Sequence, residues 1–147
     1  MINSFRKDYF FLSNFYETPI TYNGITYPSA EVAFQAQKTL DKDEQLKMSL
    51  MTSNESKKYG RKLTLRDNWD NIKLGAMSDI CRAKFEDPNL RDLLCKTYPH
   101  QLIEGNGWHD NFWGSCTCDK CKNEYKYNNL GEILMNIRNE IINEEGD

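Results

Sequence analysis

The chain has 147 residues and a formal net charge of −3, and these values limit the functions it can have. Its 39% hydrophobic and 12% aromatic content predicts one folded domain, over residues 1–147, with an apolar core. The acidic balance excludes broad, non-specific wrapping of nucleic acid, which needs a basic face. No apolar run approaches the roughly 20 residues of a membrane span, and the first residues show no signal-peptide pattern. We therefore expect a cytoplasmic protein with no membrane partner.

The predicted elements are mostly helices that follow one β element. Asn23-Gly24, between two runs of β-forming residues, predicts a β-hairpin over 19–27. A short strand is predicted at 102–103 and a long loop over 104–128, and loops of that length are usually functional or disordered. The predicted class is mainly α (α+β). Helices are predicted, in chain order, at 30–38, 43–52, 54–59, 68–85, 88–94 and, beginning near residue 129, at 129–141.

The first predicted helix carries three polar side chains in a row. Ser29 suits its N-cap, and Glu31, Gln35 and Lys38 are spaced i, i+4 and i+7. On a helix these positions fall within an arc of about 60°. A carboxylate, an amide and an amine aligned beside an apolar face form a compact site for polarising a sugar or a base.

A basic cluster occupies residues 57–62, where Arg61 is surrounded by lysines. Two interpretations are open: the cluster holds one or two phosphates, or it is a solvated helix end. Neither usual Gly-rich phosphate-binding pattern is present, so any nucleotide site must use another geometry.

The 104–128 loop places Asp110 between Trp108 and Trp113. Flat indoles there could stack on a base, Asp110 could stabilise positive charge at a sugar carbon, and Gly114 would let the backbone approach a ligand. The alternative is a loop that the two tryptophans pin to the core.

The same loop contains a group of cysteines, Cys116, Cys118 and Cys121, that resembles part of a metal site. Zinc normally takes four ligands, and His109 and His100 are the nearest candidates for the fourth. A closed zinc site would staple the loop and would not catalyse. Because the five cysteines of the chain are an odd number in a cytoplasmic protein, a disulfide framework fits poorly. The remaining two, Cys81 and Cys95, are predicted core residues.

A series of short motifs runs along nearly the whole chain. They are FLSNFY at 11–16, GITYPSAE at 24–31, QAQK at 35–38, Gly60-Arg61, Trp69 with Lys73 and Met77, Ala83-Lys84-Phe85, Trp113-Gly114, and Asn129-Leu130-Gly131 with Leu134-Met135 and Arg138. In order and spacing they resemble the YbiA-like, or NADAR, family. Two features depart from the family pattern: Val32 stands where a histidine often follows the glutamate, and the cysteine-rich insert occurs in only part of the family.

The resemblance implies an N-glycosidase that requires no cofactor. Some members hydrolyse phosphoribosylamino-pyrimidine intermediates of riboflavin synthesis, and others remove ADP-ribose from the amino group of guanine in nucleic acid. Both substrates join an exocyclic nitrogen to C1 of a ribose. The implied partner is therefore a nucleotide or an ADP-ribosylated nucleic acid.

The resemblance also implies roles for individual residues. Glu31 and Asp110 are the implied acid/base pair, because cleavage leaves charge on C1 and needs a proton on the departing nitrogen. Lys38 has two open roles, as a Schiff-base nucleophile or as a fixed cation for a phosphate. Any of the three tryptophans could instead be core. The residues assigned to substrate binding are Ser13, Asn14, Gln35, Arg61, Trp69, Lys73, Trp108, Trp113, Gly114 and Asn129.

Two other classes of protein remain open at this point. A non-catalytic module for ADP-ribose or an NAD-type nucleotide would bind tightly without turnover, and a metal-stapled interaction protein would contain stoichiometric zinc. The many lysines and asparagines are typical of an AT-rich genome, such as that of a phage, and this origin would favour the ADP-ribosylguanine substrate. Any DNA would then be gripped mainly through the modified base, extruded into the pocket.

Overall fold

The computed structural model describes residues 1–145; residues 146 and 147, which belong to the predicted domain, lie outside the described part. Helices dominate, with a short antiparallel hairpin near the N-terminus and a second pair of two-residue strands. The predicted mainly α (α+β) class with an N-terminal hairpin is therefore confirmed. The backbone forms two compact units. We call Asn14–Asp87 the central unit, and Met1–Ser13 with the segment from Pro88 onward the terminal unit.

The central unit begins with the predicted hairpin, in which β1 (Glu17–Tyr22) pairs antiparallel with β2 (Ile25–Ser29). Asn23 and Gly24 form the turn with φ angles of 50° and 85°, the left-handed region that these residue types tolerate. The chain then enters α1 (Ala30–Ala36), and the Ser29 hydroxyl accepts a hydrogen bond from the Val32 N–H at 3.3 Å. The predicted hairpin and N-cap are both confirmed.

Three further helices complete the central unit: α2 (Lys42–Met48), α3 (Ser53–Gly60) and α4 (Trp69–Lys84). All seven residues of α1 are buried, and α1 packs against β2, α3 and α4. It is therefore the core element of this unit. Some predicted helix ends were wrong: α1 stops before Lys38, α2 ends at Met48 rather than at residue 52, and Gly60 is the last residue of α3 rather than the residue after it.

The terminal unit contains a 3-10 helix (Lys7–Leu12), α5 (Pro88–Lys96), β3 (Gly105–Asn106), β4 (Ser115–Cys116), a second 3-10 helix (Asp119–Cys121) and α6 (Asn129–Glu145). β3 and β4 pair in parallel. The strand predicted at 102–103 was wrong, since Leu102 forms an isolated bridge with Ile2. In α6 the buried stripe includes Leu130, Leu134, Ile137 and Ile141, as its period predicts.

None of the helices in the described residues has the length and apolar character that crossing a membrane requires.

Candidate active site

The central unit contains a buried pair of polar side chains on α1. Glu31 and Gln35 are 8% and 6% exposed, and the Gln35 amide nitrogen donates a hydrogen bond to Glu31 Oε1 at 2.9 Å. Their i, i+4 spacing stacks them on one helix face, as predicted. The Glu31 backbone N–H donates to the Asn14 carbonyl at 2.9 Å. The carboxylate is thus held at a fixed position in a site largely removed from water.

The other end of the Gln35 carboxamide points at the backbone of α3. Gln35 Oε1 is buried and has no hydrogen-bond partner among the described residues. A Cβ added at Gly60 would lie 2.0 Å from this oxygen and 3.4 Å from Lys38 Nζ. Gly60 therefore provides the space in which the amide and the amine sit. A buried acceptor without a partner is costly, and a ligand hydroxyl or N–H would satisfy it.

Lys38 completes this polar cluster, which we define as Glu31, Gln35 and Lys38. Burial lowers the pKa of the Lys38 ammonium; Glu31 raises that pKa in part, while Arg61 and Lys57 lower it further. The backbone N–H of Lys38 donates to the Gln35 carbonyl at 3.2 Å, which continues the turn after α1. A lysine with a lowered pKa has a larger neutral fraction, and the neutral amine is the nucleophilic form.

Two further predicted substrate-binding residues of the central unit, besides Gln35, are buried. Trp69 is 6% exposed and packs against Phe34, with ring centroids 5.1 Å apart and planes inclined at 48°. Asn14 donates a hydrogen bond from Nδ2 to the Met77 sulfur at 3.3 Å. The position of Trp69 favours its core alternative, and the binding roles of Trp69 and Asn14 stay predictions.

The predicted cations of the central unit differ in their surroundings. Arg61 is exposed directly after α3. Lys73 forms a salt bridge with Asp70 at 3.2 Å. Lys57 is half-buried, with its ammonium 5.7 Å from the centroid of the Phe15 ring. Arg61 therefore has the greatest freedom to reach a phosphate, and the phosphate-binding roles of Arg61 and Lys73 stay predictions.

Asp110 lies in the terminal unit, where it organises a tight turn. Its Oδ1 accepts the backbone N–H groups of Phe112 at 3.1 Å and Trp113 at 2.9 Å. The Asn106 side chain accepts the Asp110 N–H at 3.2 Å and donates to the Asp110 carbonyl at 2.8 Å. These bonds give the carboxylate a structural task in its own unit. Its catalytic role stays a prediction.

The predicted aromatic platform of the 104–128 loop is partly accessible. Trp108 is 51% exposed, whereas Trp113 is half-buried and packs edge-on against Phe112 with centroids 4.8 Å apart. A Cβ at Gly114 would lie 2.3 Å from the Glu104 carbonyl oxygen, so this glycine allows two backbone segments to approach. Trp108 is therefore better placed than Trp113 to stack on a ligand.

The last two predicted binding residues, Ser13 and Asn129, stand at helix ends of the terminal unit. The Ser13 N–H donates to the Phe10 carbonyl at 2.9 Å, and the Asn129 N–H donates to the Phe112 carbonyl at 3.1 Å. Both side chains are half-buried. These contacts involve backbone atoms, so substrate binding by the side chains stays a prediction.

The three predicted metal ligands of the 104–128 loop come together with one histidine. The ligand atoms of His109, Cys116, Cys118 and Cys121 all lie within 4.8 Å of one another. The backbone N–H of Cys118 is the largest of several influences that lower the pKa of the Cys116 thiol to about 6, whereas burial raises the pKa of Cys121 to about 11. Of the two predicted fourth candidates, the structure places His109 here.

The second histidine candidate and the two remaining cysteines lie outside this group of ligand atoms. His100 Nδ1 is 3.4 Å from the N-terminal nitrogen of Met1. Cys81 is buried in α4 and Cys95 is half-buried in α5, both as free thiols, which agrees with the predicted core role for Cys81 and partly for Cys95.

The central unit contains a buried lysine that the helix pattern of the sequence does not predict. Lys84, at the end of α4, is 2% exposed, and burial lowers its pKa to about 8. Its ammonium lies 5.6 Å from the Tyr16 ring centroid and 5.2 Å from that of Phe85. Its place in the Ala83-Lys84-Phe85 motif was the one available signal, because helix periodicity does not predict a buried lysine.

A surface hollow of about 520 Å³ is separate from these residues. It is lined mainly by residues between Met1 and Tyr9, with His100 beside them, and it contains none of the residues predicted to catalyse or to bind substrate. We place the candidate site at the polar cluster instead, since buried and electrostatically perturbed groups are typical of catalysis.

Known proteins match this chain over almost its full length. The NADAR domain model matches residues 3–142. N-glycosidase YbiA of Escherichia coli (strain K12) is 37% identical over 142 residues, covering 94% of this chain and 85% of that protein. N-glycosidase Npun_R5314 of Nostoc punctiforme is 33% identical over 138 residues, covering 89% and 85%. Riboflavin biosynthesis protein VVA0006 of Vibrio vulnificus is 32% identical over 140 residues, covering 89% of this chain and 35% of that protein.

The fold agrees with the same relationship. The NMR structure of the E. coli protein YbiA has a TM-score of 0.82, with 32% identity, and the match covers 100% of this chain and 90% of that one. The resemblance inferred from the sequence motifs is thereby confirmed, and the chain belongs to the NADAR domain family.

Proposed function

We propose that this protein is an N-glycosidase that hydrolyses the bond between ribose C1 and an exocyclic base nitrogen. The relatives YbiA and Npun_R5314 are both named N-glycosidases, which supports this reaction class, and the name of VVA0006 supports a riboflavin-related substrate for some relatives. The favoured substrate is ADP-ribosylated guanine in nucleic acid, and the second is a phosphoribosylamino-pyrimidine. The observation that carries the proposal is the polar cluster, with its buried Glu31–Gln35 pair and its desolvated Lys38.

Glu31 is the candidate proton donor and acceptor of the reaction. A departing amino group needs a proton as its bond to C1 breaks. The Glu31 carboxyl is buried, and Gln35 fixes the direction of one of its oxygens. A protonated Glu31 gives its proton to the departing nitrogen and then, as a carboxylate, takes one from the attacking water.

Lys38 is the candidate nucleophile. Opening of the ribose breaks the bond from C1 to the ring oxygen, moves the proton of the exocyclic nitrogen to that oxygen, and leaves C1 doubly bonded to the nitrogen. The neutral Lys38 amine then adds to C1, the base departs as a free amine, and C1 becomes an imine of Lys38. One water hydrolyses the imine, which releases the sugar aldehyde and restores the lysine. The net reaction consumes one water and needs no oxidant, reductant or cofactor.

Gln35 provides a substrate-binding group beside this chemistry. Its Oε1 is a buried acceptor next to Gly60 and within the same cluster as the Lys38 amine. A ribose hydroxyl is the kind of donor that would satisfy it. Arg61, exposed at the adjacent end of α3, is the proposed phosphate ligand because a guanidinium binds phosphate through two hydrogen bonds.

The proposal is tested by product analysis with both substrate classes. The protein is mixed with guanine-ADP-ribosylated DNA and, separately, with a phosphoribosylamino-pyrimidine, and free sugar and free base are measured by mass spectrometry. Release from either supports the enzyme and identifies its substrate. Tight binding by calorimetry without release from either would contradict it and leave a nucleotide-binding module.

The two roles of Lys38 are separated by a matched pair of variants. Lys38→Arg retains the positive charge but cannot form an imine, whereas Lys38→Ala loses both. If Lys38 is the nucleophile, both variants lose about a hundredfold or more in kcat, and borohydride traps a sugar adduct on the wild-type lysine. If Lys38→Arg retains most of the activity and no adduct forms, the lysine is a phosphate-binding cation and hydrolysis is direct.

A further inference from the structure

The geometry of the 104–128 loop points to a structural metal site. We propose that His109, Cys116, Cys118 and Cys121 bind one Zn²⁺ in a closed tetrahedral arrangement that anchors this loop. The site lies wholly within the terminal unit and does not depend on the proposed glycosidase activity.

The spacing of the ligand atoms matches a tetrahedral zinc site. With Zn–S near 2.3 Å and Zn–N near 2.0 Å, tetrahedral angles place a sulfur and a nitrogen about 3.5 Å apart. The observed distances from His109 Nδ1 are 3.2 Å to Cys118 Sγ, 3.4 Å to Cys121 Sγ and 3.9 Å to Cys116 Sγ. The three nitrogen–sulfur distances therefore lie within about 0.4 Å of the tetrahedral value, and all four ligand atoms lie within 4.8 Å of one another.

The chemistry of the ligands selects the ion. Three thiolates and one imidazole form the soft set that zinc prefers, while calcium and magnesium require oxygen ligands. Four protein ligands leave no open position for water or substrate, so the ion would be structural. Cys116 and Cys121 are buried and Cys118 is half-buried, which protects the zinc–sulfur bonds from solvent.

Surrounding groups support a negatively charged metal cluster. The backbone N–H groups of His109 and Cys118 donate to Cys116 Sγ at 3.3 Å and 3.5 Å. Lys126 Nζ donates to the carbonyls of Cys116 and Cys121 at 2.8 Å and 2.5 Å. Three thiolates around Zn²⁺ leave one net negative charge, which the Lys126 ammonium offsets. Outer groups that orient the ligands in this way are typical of metal sites.

The loop itself gives a reason for an anchor. Apart from two-residue strands and one 3-10 turn, the described part of the 104–128 loop has no regular structure. His109 adopts φ 70°, an unfavourable region for a residue with a side chain. Coordination would hold this conformation. On the proposed function, it would also fix the neighbouring Trp108 and Asp110.

Metal analysis of the purified full chain tests the proposal. We expect one zinc per chain from zinc-supplemented cultures, and Co²⁺ added to chelator-stripped protein should give the absorption of a tetrahedral thiolate site. Cys118→Ser should weaken the metal affinity by more than about a hundredfold. Cys95→Ser is the matched control, since Cys95 is a half-buried thiol outside the cluster, and His100→Gln plays the same part for His109→Gln.

The outcomes decide the question without reference to catalysis. Zinc retained by the two controls and lost from Cys118→Ser and His109→Gln supports the site. Substoichiometric zinc with no cobalt spectrum from the wild type, or equal metal in Cys118→Ser and Cys95→Ser, would overturn it. If Cys118→Ser fails to fold, the wild-type cobalt titration still decides. If the protein binds zinc but releases product from none of the substrates, only the proposed function is overturned and the metal site stands.

Discussion

Gly60→Ala is the substitution that addresses the polar cluster most specifically, because it changes no functional group. The added Cβ would lie 2.0 Å from Gln35 Oε1, whereas ordinary contact begins at 3.4 Å. The difference requires the carboxamide to retreat by about 1.4 Å, as judged from those two distances. Gln35 is 6% exposed on a fully buried helix, so the movement must disturb its hydrogen bond to Glu31 or displace the Lys38 amine.

Gly60→Ala should reduce activity much more than it reduces stability. Overpacking of a buried site costs about 1–3 kcal/mol, which lowers the melting temperature by several degrees in a domain of this size. A displacement of about 1 Å in a catalytic group can reduce the rate on the order of a hundredfold. We therefore expect a folded Gly60→Ala protein whose kcat/KM falls by about two orders of magnitude.

Gly75→Ala is the matched control. Gly75 lies within α4, and a Cβ there would meet nothing within 4 Å. Alanine is a better helix former than glycine by up to about 1 kcal/mol. Gly75→Ala should therefore melt at a higher temperature and retain full activity. Both variants are compared by circular dichroism melts and by product release. A Gly60→Ala protein with wild-type kcat/KM would refute the assignment of the site to this cluster.

Three other predictions follow from single contacts. Arg61→Gln removes a positive charge that lowers the pKa of Lys38. The pKa of Lys38 should therefore rise, and the pH–rate profile should shift to higher pH. A shift to lower pH would contradict the nucleophile role. Lys84→Met should stabilise the protein at pH 7 by up to about 3 kcal/mol, since the fall in the Lys84 pKa from 10.5 to about 8 corresponds to that energy. Because the pKa of Lys84 is lower in the folded protein than in the unfolded chain, this penalty is complete below pH 8 and disappears as the pH rises to about 10.5. If the increase in the free energy of unfolding, measured with urea, does not change with pH, burial of the charge is not its cause. Thr52→Ala removes the capping box that Thr52 and Glu55 form at the start of α3 and should cost about 0.5–2 kcal/mol, whereas no loss in thermal unfolding would mean that the cap contributes nothing.

Local signals in the sequence predict much of the central unit. Asn23-Gly24 tolerates the positive φ angles of its turn, and Ser29 supplies an acceptor to the first turn of α1. These features depend on residues close together in the chain, and so the hairpin, the N-cap and the Glu31–Gln35 alignment are predictable. The family motifs then identify the relationship that the comparisons confirm.

The features that the sequence does not predict depend on contacts between distant residues. A lysine at a helix end is normally exposed, so the burial of Lys84 between Tyr16 and Phe85 has no signal in the helix period. Glycine is a common residue at helix ends, but the closeness of Gly60 to Gln35 depends on how α3 packs on α1. The choice of His109 over His100 likewise depends on the path of the 104–128 loop.

The proposed function is tested most directly by product release from the wild type, Glu31→Gln and Lys38→Ala, measured by mass spectrometry on guanine-ADP-ribosylated DNA and on a phosphoribosylamino-pyrimidine. We expect free sugar and free base from one of these substrates with the wild type, and a loss of about a hundredfold or more with each variant, while both variants melt as folded proteins. Equal release by the wild type and the two folded variants would contradict the claim that this cluster cleaves an N-glycosidic bond.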